Sequence, residues 1–522
     1  MDDSALATPP ATEHRPRLPR QIPYIIATEA CERFSFYGMR NILTPFLVGS
    51  LLLYLPVGER AGVAKEVFHS FVIGVYFFPL LGGWVGDRFF GKYRTVLWLS
   101  LLYVLGHACL AVFESQRTGF YLGLALIAVG SGGIKPLVSS FVGDQFTRQD
   151  KHLAKVVFDA FYWVVNFGSF FASLLMPVLL GTLGPSVAFG VPGVLMFAAV
   201  LVFWAGRAAY VHAPPSPPNP DSFLRVVRTA LLARAPGQGR GGLAVAVAGA
   251  ALAALALTRV GSLGVVPALC LALVLVLGFG GAGAGLQLTR ARGLHPDAAV
   301  DGVRAVLRLM VVFALVTPFW SLFDQKASTW VLQAEQMSKP GWFRAAQMQA
   351  LNPALVMLLI PFNNLVLYPA LRRAGVEPTP LRRMGVGIGF AGVAWLVAGT
   401  LQLALDGGGS VSIVWQVLPY ALLTFGEVLV SATGLEFAYS QAPAAMKGTI
   451  MAFWTLAVTV GNLWVLLADA SVRQPAVLAN IARVGLSETA FLMFFFALFA
   501  LAVAALFGRT ARGYTMQDHY RG

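Results

Sequence analysis

Three charges sit inside what otherwise reads as a membrane-spanning helix. The stretch Pro23 to Leu53 is long and apolar, yet Glu29-Ala30-Cys31-Glu32-Arg33-Phe34 places two acids and a base within it. A charge at bilayer depth costs a few kcal/mol or more, so such a group usually faces a partner or a water-filled path. With successive side chains about 100° apart, Glu29, Glu32, Arg33, Phe36, Tyr37 and Arg40 share one broad helix face. The plain alternative is a static ion pair that only locks a bundle together. A polar route through the membrane is the reading that intramembrane ionisable groups favour by default.

The rest of the chain fits a membrane solvent. Of 522 residues, 57% are hydrophobic and 12% are charged, unlike a soluble globular domain. A span needs about 20 apolar residues. Windows of that size predict spans at 24–53, 67–86, 95–113, 119–143, 155–181 and 187–211, then 243–258 and 263–289, then 304–333, 344–371, 384–405, 411–440, 448–470 and 487–508. These fourteen windows define an all-α membrane protein.

The net charge of +14 is not a nucleic-acid footprint, because the basic residues cluster in alternate short loops. Arg88, Lys92 and Arg94, then Arg148, Lys151 and Lys155, then Arg372, Arg373, Arg382 and Arg383, Lys447, and finally Arg509 and Arg512 mark one side. The loops 181–188 and 406–410 are nearly uncharged. The positive-inside rule makes the first side cytoplasmic, with both termini there. Cys31, Cys109 and Cys270 are isolated in apolar spans and suggest neither a disulfide framework nor a metal site. Residues 1–22 read as a disordered cytoplasmic tail rather than a cleaved signal.

The main break is the proline-rich run 213–220, which favours an extended linker. It divides the chain into a six-helix bundle (23–212), a cytoplasmic linker (213–242), two accessory helices (243–290), a second six-helix bundle (304–510) and a tail (511–522). Two six-span halves resemble the major facilitator architecture, whose halves rock about a midplane site. The loop Gly82-Gly83-Trp84-Val85-Gly86-Asp87-Arg88-Phe89-Phe90-Gly91-Lys92-Tyr93-Arg94 is similar to the cytoplasmic motif of those transporters. There Asp87, Arg88 and the other basic residues could form a gate of charge-assisted hydrogen bonds; an ordinary charged turn is the alternative.

Further polar groups interrupt the spans. His69 and Tyr76 share a face of span 2, and His69 could pass a proton or sit near the outer headgroups. Lys135 lies mid-span beside small residues and Pro136. Asn166 on span 5 is either ligand or interhelix glue. Trp320 and Asp324 face the same way on span 7, with Arg40 and Lys135 as available mid-span cations for the carboxylate. Asn352-Pro353 breaks span 8, Glu427 lies inside span 10, and Trp454 near the start of span 11 is a packing or a binding aromatic. Cations thus gather in the first half and isolated acids in the second. That polarity suits a zwitterion with separated amino and carboxylate ends.

From about Pro23 to Arg512 the chain resembles the proton-dependent oligopeptide transporter family of the major facilitator superfamily. The resemblance is carried by Glu29-x-x-Glu32-Arg33-Phe34-Ser35-Phe36-Tyr37-Gly38-Met39-Arg40, by Gly132-Gly133-Ile134-Lys135-Pro136 through Gly143-Asp144-Gln145-Phe146, and by Phe161-Tyr162-Trp163-x-x-Asn166-x-Gly168-Ser169. It continues at Phe319-Trp320-Ser321-Leu322-Phe323-Asp324-Gln325 and from Gly426-Glu427 through Gly434 to Pro443. The two extra helices look like those of bacterial members, and the short 406–410 loop lacks the large extracellular domain of animal members.

The resemblance implies roles. Arg33 and Lys135 would hold a peptide carboxylate, with Tyr37 and Tyr76 on the same side. Glu427 would bind the amino terminus, helped by Asn166 and Asn352, and Trp320 and Trp454 would wall side-chain pockets. Glu29 and Glu32 would couple protons through Arg33. Asp324 would alternate between a proton and a bridge to Arg40 or Lys135, and His69 matches a position linked to proton handling. The implied protein is no enzyme. It is a proton-coupled symporter importing di- and tripeptides across a bacterial inner membrane, functional as a monomer, without metal or prosthetic group and without nucleic-acid partners. Three departures stand out: Phe36 for a frequent tyrosine, Lys326-Ala327 for the usual Gln-Gly, and Val458 for a small polar residue. Lys326 is expected near the proton site. An anion carrier of the same fold is a rival, though Glu427 would repel an anion. A membrane enzyme or pore is another, but no nucleophile–base pair or phosphate loop supports it.

Overall fold

The computed structural model describes residues 18–146, 151–215, 217–233, 239–441 and 446–514. Residues 1–17 and 515–522 of the expected tails, and Arg148, Arg234, Ala442 and Pro443, lie outside them. No strand occurs among the described residues. The first group of helices is α1 (Ile22–Phe46), α2 (Val57–Val85), α3 (Lys92–Val112), α4 (Arg117–Asp144), α5 (Lys151–Leu183) and α6 (Pro185–Ala205). Then come α7 (Phe223–Leu232), α8 (Gly241–Thr258), α9 (Val260–Leu263) and α10 (Val265–Leu286). The last group is α11 (Asp297–Asp324), α12 (Thr329–Gln336), α13 (Leu351–Phe362), α14 (Tyr368–Arg373), α15 (Pro380–Asp406), α16 (Val417–Ser440), α17 (Lys447–Val472), α18 (Pro475–Arg483) and α19 (Glu488–Arg512).

Thirteen helical segments among the described residues are long and apolar enough to cross a membrane. Helix α1 is not among them by composition, because Glu29, Glu32, Arg33 and Arg40 lie within it. It is nevertheless packed along α5 and α6, and it completes the expected fourteen. The outward faces carry Leu101, Leu105, Val194, Leu201, Leu358 and Leu498 exposed, as lipid contact requires. Prolines inside helices are tolerated in this setting; Pro45 and Pro361 each lead into a π-helical turn, Leu47–Leu51 and Asn363–Leu367.

Buried apolar side chains fall into two large cores. One runs from Ile22 to Tyr210, joined by Ala327; the other runs from Phe223 to Phe507. Between them α2 packs along α17 and α5 along α13. Small residues set the closest crossings. A Cβ on Gly82 would lie 2.2 Å from the Gly132 carbonyl oxygen, so α2 and α4 touch backbone to backbone. Gly91, at φ +77°, makes the reversal between the π-helical turn Gly86–Phe90 and α3.

Two expectations about elements need correction. The span predicted at 304–333 is not continuous: a 3₁₀ turn at Gln325–Ala327 and non-helical Ser328 separate α11 from α12. The proline-rich run 213–220 is non-helical where described, and beyond it α7 folds and buries Phe223, Val226 and Ala230. Its last carbonyls accept from Gln287 Nε2, at 3.0 Å to Ala230 and 2.9 Å to Leu231. Asn352-Pro353 does not break a span. Pro353 sits in the first turn of α13, where its missing N–H costs least.

Candidate functional site

Helix α1 brings the charged string into the middle of the first bundle. Arg33 Nε donates to Glu32 Oε2 and lies 3.2 Å from Glu29 Oε1, one helical turn away. Glu32 is wholly buried. Arg33 Nη2 is buried without an acceptor, and so is Glu32 Oε1 without a donor. Lys135 on α4 points to the same region. Its Nζ stands 3.9 Å from the Tyr76 ring centroid and 4.8 Å from that of Phe36, and no carboxylate lies within 4.0 Å of it among the described residues. Phe36 also faces Arg33 at 5.5 Å and meets Tyr37 edge-on at 5.3 Å. The position that lacks a tyrosine hydroxyl is thus a π face shared by two cations. Arg33 and Lys135 keep donors in hand for an anionic ligand group.

A second set of residues ties the bundles together. Arg40 Nη2 donates to Asp324 Oδ1 at 2.6 Å, so Arg40 rather than Lys135 holds this carboxylate. Asn462 on α17 donates to Asp324 Oδ2 at 2.8 Å and accepts from His69 Nδ1 at 2.6 Å. The amide nitrogen is engaged with Asp324 and the Val458 carbonyl, so the hydrogen of the His69–Asn462 bond belongs to the imidazole. His69 Nε2 lies 3.0 Å from Ser328 Oγ. That hydroxyl can donate to a neutral ring or accept from a charged one. His69 is fully buried, not among headgroups. Ser328 owes its place to the break between α11 and α12.

Nearer the Leu51–Val57 end, Lys65 Nζ meets Asp469 Oδ1 at 3.2 Å and Arg473 Nη1 meets Glu66 Oε2 at 2.9 Å. Thr44 Oγ1 donates to the Ala327 carbonyl at 2.9 Å, and Gln349 and Gln347 donate to the Asn41 and Leu174 carbonyls. All these contacts cross between the bundles at or above the depth of Asp324. At the opposite end Lys92 of the loop motif is used within one bundle. Lys92 pairs with Asp144 at 2.7 Å, while Asp87 is exposed and Arg88 half-buried. Asp87 is therefore not the carboxylate on Lys92 in this conformation, because Asp144 at the end of α4 reaches it first.

The second bundle supplies the acidic pole. Asn352 Nδ2 donates to Glu427 Oε2 at 2.5 Å and to Thr424 Oγ1 at 3.1 Å, and Asn352 Oδ1 accepts from Lys326 Nζ at 2.7 Å. Lys326 thus turns away from Asp324 and towards Glu427, against its expected place. Asn166 is not on Glu427 either; its amide donates to the Tyr162 carbonyl of its own helix at 2.9 Å. Trp320 and Trp454 stand edge to face with centroids 6.2 Å apart. Gly461 and Gly434 make room for them, since a Cβ there would lie 2.6 Å from Trp320 and 2.1 Å from the Trp454 ring.

Asn462, Ser328, Lys65 and Asp469 were not singled out in the sequence. Asn462 carried a usable signal, being two turns from Trp454 on one face of an apolar span. Lys65 fell just outside its window, at 67–86.

Residues 93–484 match the family profile described as "PTR2: POT family". The chain belongs to the POT family. It is similar to Peptide transporter 3 of Caenorhabditis elegans, 33% identical over 408 residues, covering 74% of this chain and 51% of that protein. Solute carrier family 15 member 2 of Rattus norvegicus is 31% identical over 406 residues, covering 74% and 50%. The chain spans about half the length of these relatives. The first of these is named as a peptide transporter and the second as a solute carrier, neither as an enzyme. Among solved structures, the POT family transporter PepTSo aligns at 68% identity and TM-score 0.95, covering 97% of this chain and 100% of that one. An auto-inhibited POT family peptide transporter aligns at 65% identity and TM-score 0.94, covering 97% and 99%. The POT family chain is a multi-pass membrane protein of the major facilitator fold, helical and without strands among the described residues.

Proposed function

We propose that this POT family protein is a proton-coupled symporter that imports di- and tripeptides by alternating access. The observation that carries the reading is the placing of opposite poles on the two bundles. Arg33 and Lys135 have unspent donors on the first, and Glu427 stands on the second. A peptide zwitterion satisfies both poles at once, and doing so draws the bundles together. Tyr37 and Tyr76 line its carboxylate end, Asn352 steadies Glu427, and Trp320 and Trp454 wall the side-chain space. Asn166 joins only if its amide leaves Tyr162.

Proton coupling runs through two places. Protonation of Asp324 removes the charge that holds Arg40 and loosens the tie between bundles, with His69 and Asn462 as the neighbouring proton path. Glu29 and Glu32 take up protons as Arg33 turns to the peptide carboxylate. Asp87 and Arg88 guard the opposite end in another conformation. By the positive-inside rule the basic loops support reading that end, and with it the two tails, as cytoplasmic in a bacterial cell. Residues 23–212 and 304–510 are the two rocking bundles, 213–242 joins them, and 243–290 is an accessory pair. A single chain contains every group the cycle uses.

Proteoliposomes test this directly. With an acid exterior, labelled dialanine should accumulate above its equilibrium level, and a protonophore should abolish the accumulation. Uptake of nitrate but not peptide would support the anion-carrier rival. Peptide flux indifferent to the proton gradient would remove the symport.

A further inference from the structure

Lys326 is a buried ammonium that the proposed cycle leaves without a task. Its position beside Asp324 in sequence suggests the proton site, but Arg40 and Asn462 occupy both Asp324 oxygens. The lysine instead follows the turn at Gln325–Ala327 towards the second bundle. Its Nζ lies 3.2 Å from the Phe323 ring centroid and donates to Asn352 Oδ1 at 2.7 Å. The Asn352 amide passes the polarity on, donating to Glu427 Oε2 at 2.5 Å. The reverse amide orientation would set its oxygen against a carboxylate and its nitrogen against an ammonium, so both neighbours fix the same one. The result is a three-member chain, ammonium to amide to carboxylate, in which each link polarises the next. Glu427 and Asn352 are half-buried, so the carboxylate is within reach of something entering between the bundles.

We infer that Lys326 is an internal stand-in for the substrate's amino terminus: through Asn352 it neutralises Glu427, and an arriving peptide ammonium must compete with it. This rests on the reading of Glu427 as the amino-terminal site. Two ammonium groups sharing one carboxylate repel each other across a few ångströms, and away from bulk water that repulsion is not fully screened. Lys326 therefore weakens the hold on the amine end and helps release the peptide once it has crossed. It also keeps Glu427 from standing as an unpaired buried carboxylate between cycles. Lys326 is in this sense a specificity-setting residue, since its effect falls only on ligands that carry a free amine.

The test compares dialanine with acetyl-dialanine on purified full-length protein, by isothermal calorimetry. Wild type should bind the acetylated peptide more weakly. Lys326→Met keeps the stem on Phe323 and loses the ammonium; it should bind dialanine about tenfold tighter and acetyl-dialanine as wild type does. Lys326→Gln should show the same selective gain, and Lys326→Arg should behave as wild type. In a Glu427→Gln background the gain should disappear. If acetylation costs wild type nothing, the Glu427 reading falls and takes this inference with it. If acetylation costs affinity but neither neutral variant tightens dialanine binding, or both peptides tighten equally, Glu427 keeps its role and Lys326 loses the one assigned here.

Discussion

At Arg33 one side chain serves two carboxylates and still holds back a donor. Arg33→Ala removes the cation between Glu29 and Glu32 and leaves two buried acids facing each other. Breaking a buried pair in this way costs roughly 3–5 kcal/mol, and peptide uptake should be lost. Arg33→Lys should stay poor, because an ammonium cannot serve the same fork of partners; initial uptake rates on protein that remains monodisperse check both. Asn462→Leu makes a different cut. It strips a donor from Asp324 and an acceptor from His69 while filling the same space, so the Arg40 tie survives but the link to the histidine does not. Proton-driven accumulation should fall severalfold while peptide-for-peptide counterflow persists. Equal loss of both would make Asn462 a structural residue only. The charged string on α1, Asp324 and Glu427 were all legible in the sequence, because a charge in an apolar span has few bland explanations. Asn462 was less so, since an uncharged amide in a span is common interhelix glue. The direction of Lys326 was not legible at all: it depends on a 3₁₀ turn that rotates it away from Asp324.

Among the helices, hydropathy windows anticipated most spans to within several residues, because bilayer thickness dictates their length, but α2 begins ten residues before its window, at Val57. The same windows hid whatever is shorter. Helices α7 and α18 have 10 and 9 residues and are averaged away beside longer neighbours. The interruption between α11 and α12 was hidden for the opposite reason, apolar residues continuing across it. Close crossings leave a sharper trace in Gly82-Gly83 and Gly132-Gly133. The two glycines of the first pair are not equivalent. A Cβ at Gly82 would strike the Gly132 carbonyl oxygen at 2.2 Å, whereas at Gly83 its nearest neighbour is Pro136 at 3.8 Å. Gly82→Ala should therefore force α2 from α4, with an overpacking cost of about 1–3 kcal/mol. Gly83→Ala should be tolerated. Thermal melts of the two variants in one detergent should separate them by several degrees, and matching melts would mean that the crossing yields easily.

For the molecule as a whole, the two cores are joined among the described residues by polar ties near the Leu51–Val57 end, and release of these ties is one step that opening there requires. Lys65 with Asp469 lies beyond Asp324, and Glu66 with Arg473 lies nearer the rim. In a background lacking Cys31, Cys109 and Cys270, the pair Lys65→Cys and Asp469→Cys joined through disulfides by a short bis-methanethiosulfonate should stop transport, and a dithiol reductant should restore it. Transport that continues through a complete cross-link would place the moving seam elsewhere. The two-bundle layout itself was readable from span counting and the proline-rich break. Which residues tie the bundles was not, because that depends on pairings between residues hundreds of positions apart, such as Arg40 with Asp324.

Acidic and basic side chains along the seam and beneath it also balance in number. Glu29, Glu32, Asp324, Glu427 and Asp469 are five acidic side chains; Arg33, Arg40, Lys65, Lys135 and Lys326 are five basic ones. A transmembrane voltage acts on net charge, with about 2.3 kcal/mol per elementary charge for each 100 mV. A balanced interior moving as a body offers it almost nothing to pull on. A zwitterionic peptide adds no net charge either. The electrical force then falls on the protons alone, so current recorded during uptake of a neutral peptide should count the protons carried per turnover, and an empty protein stepped between voltages should show little gating charge of its own.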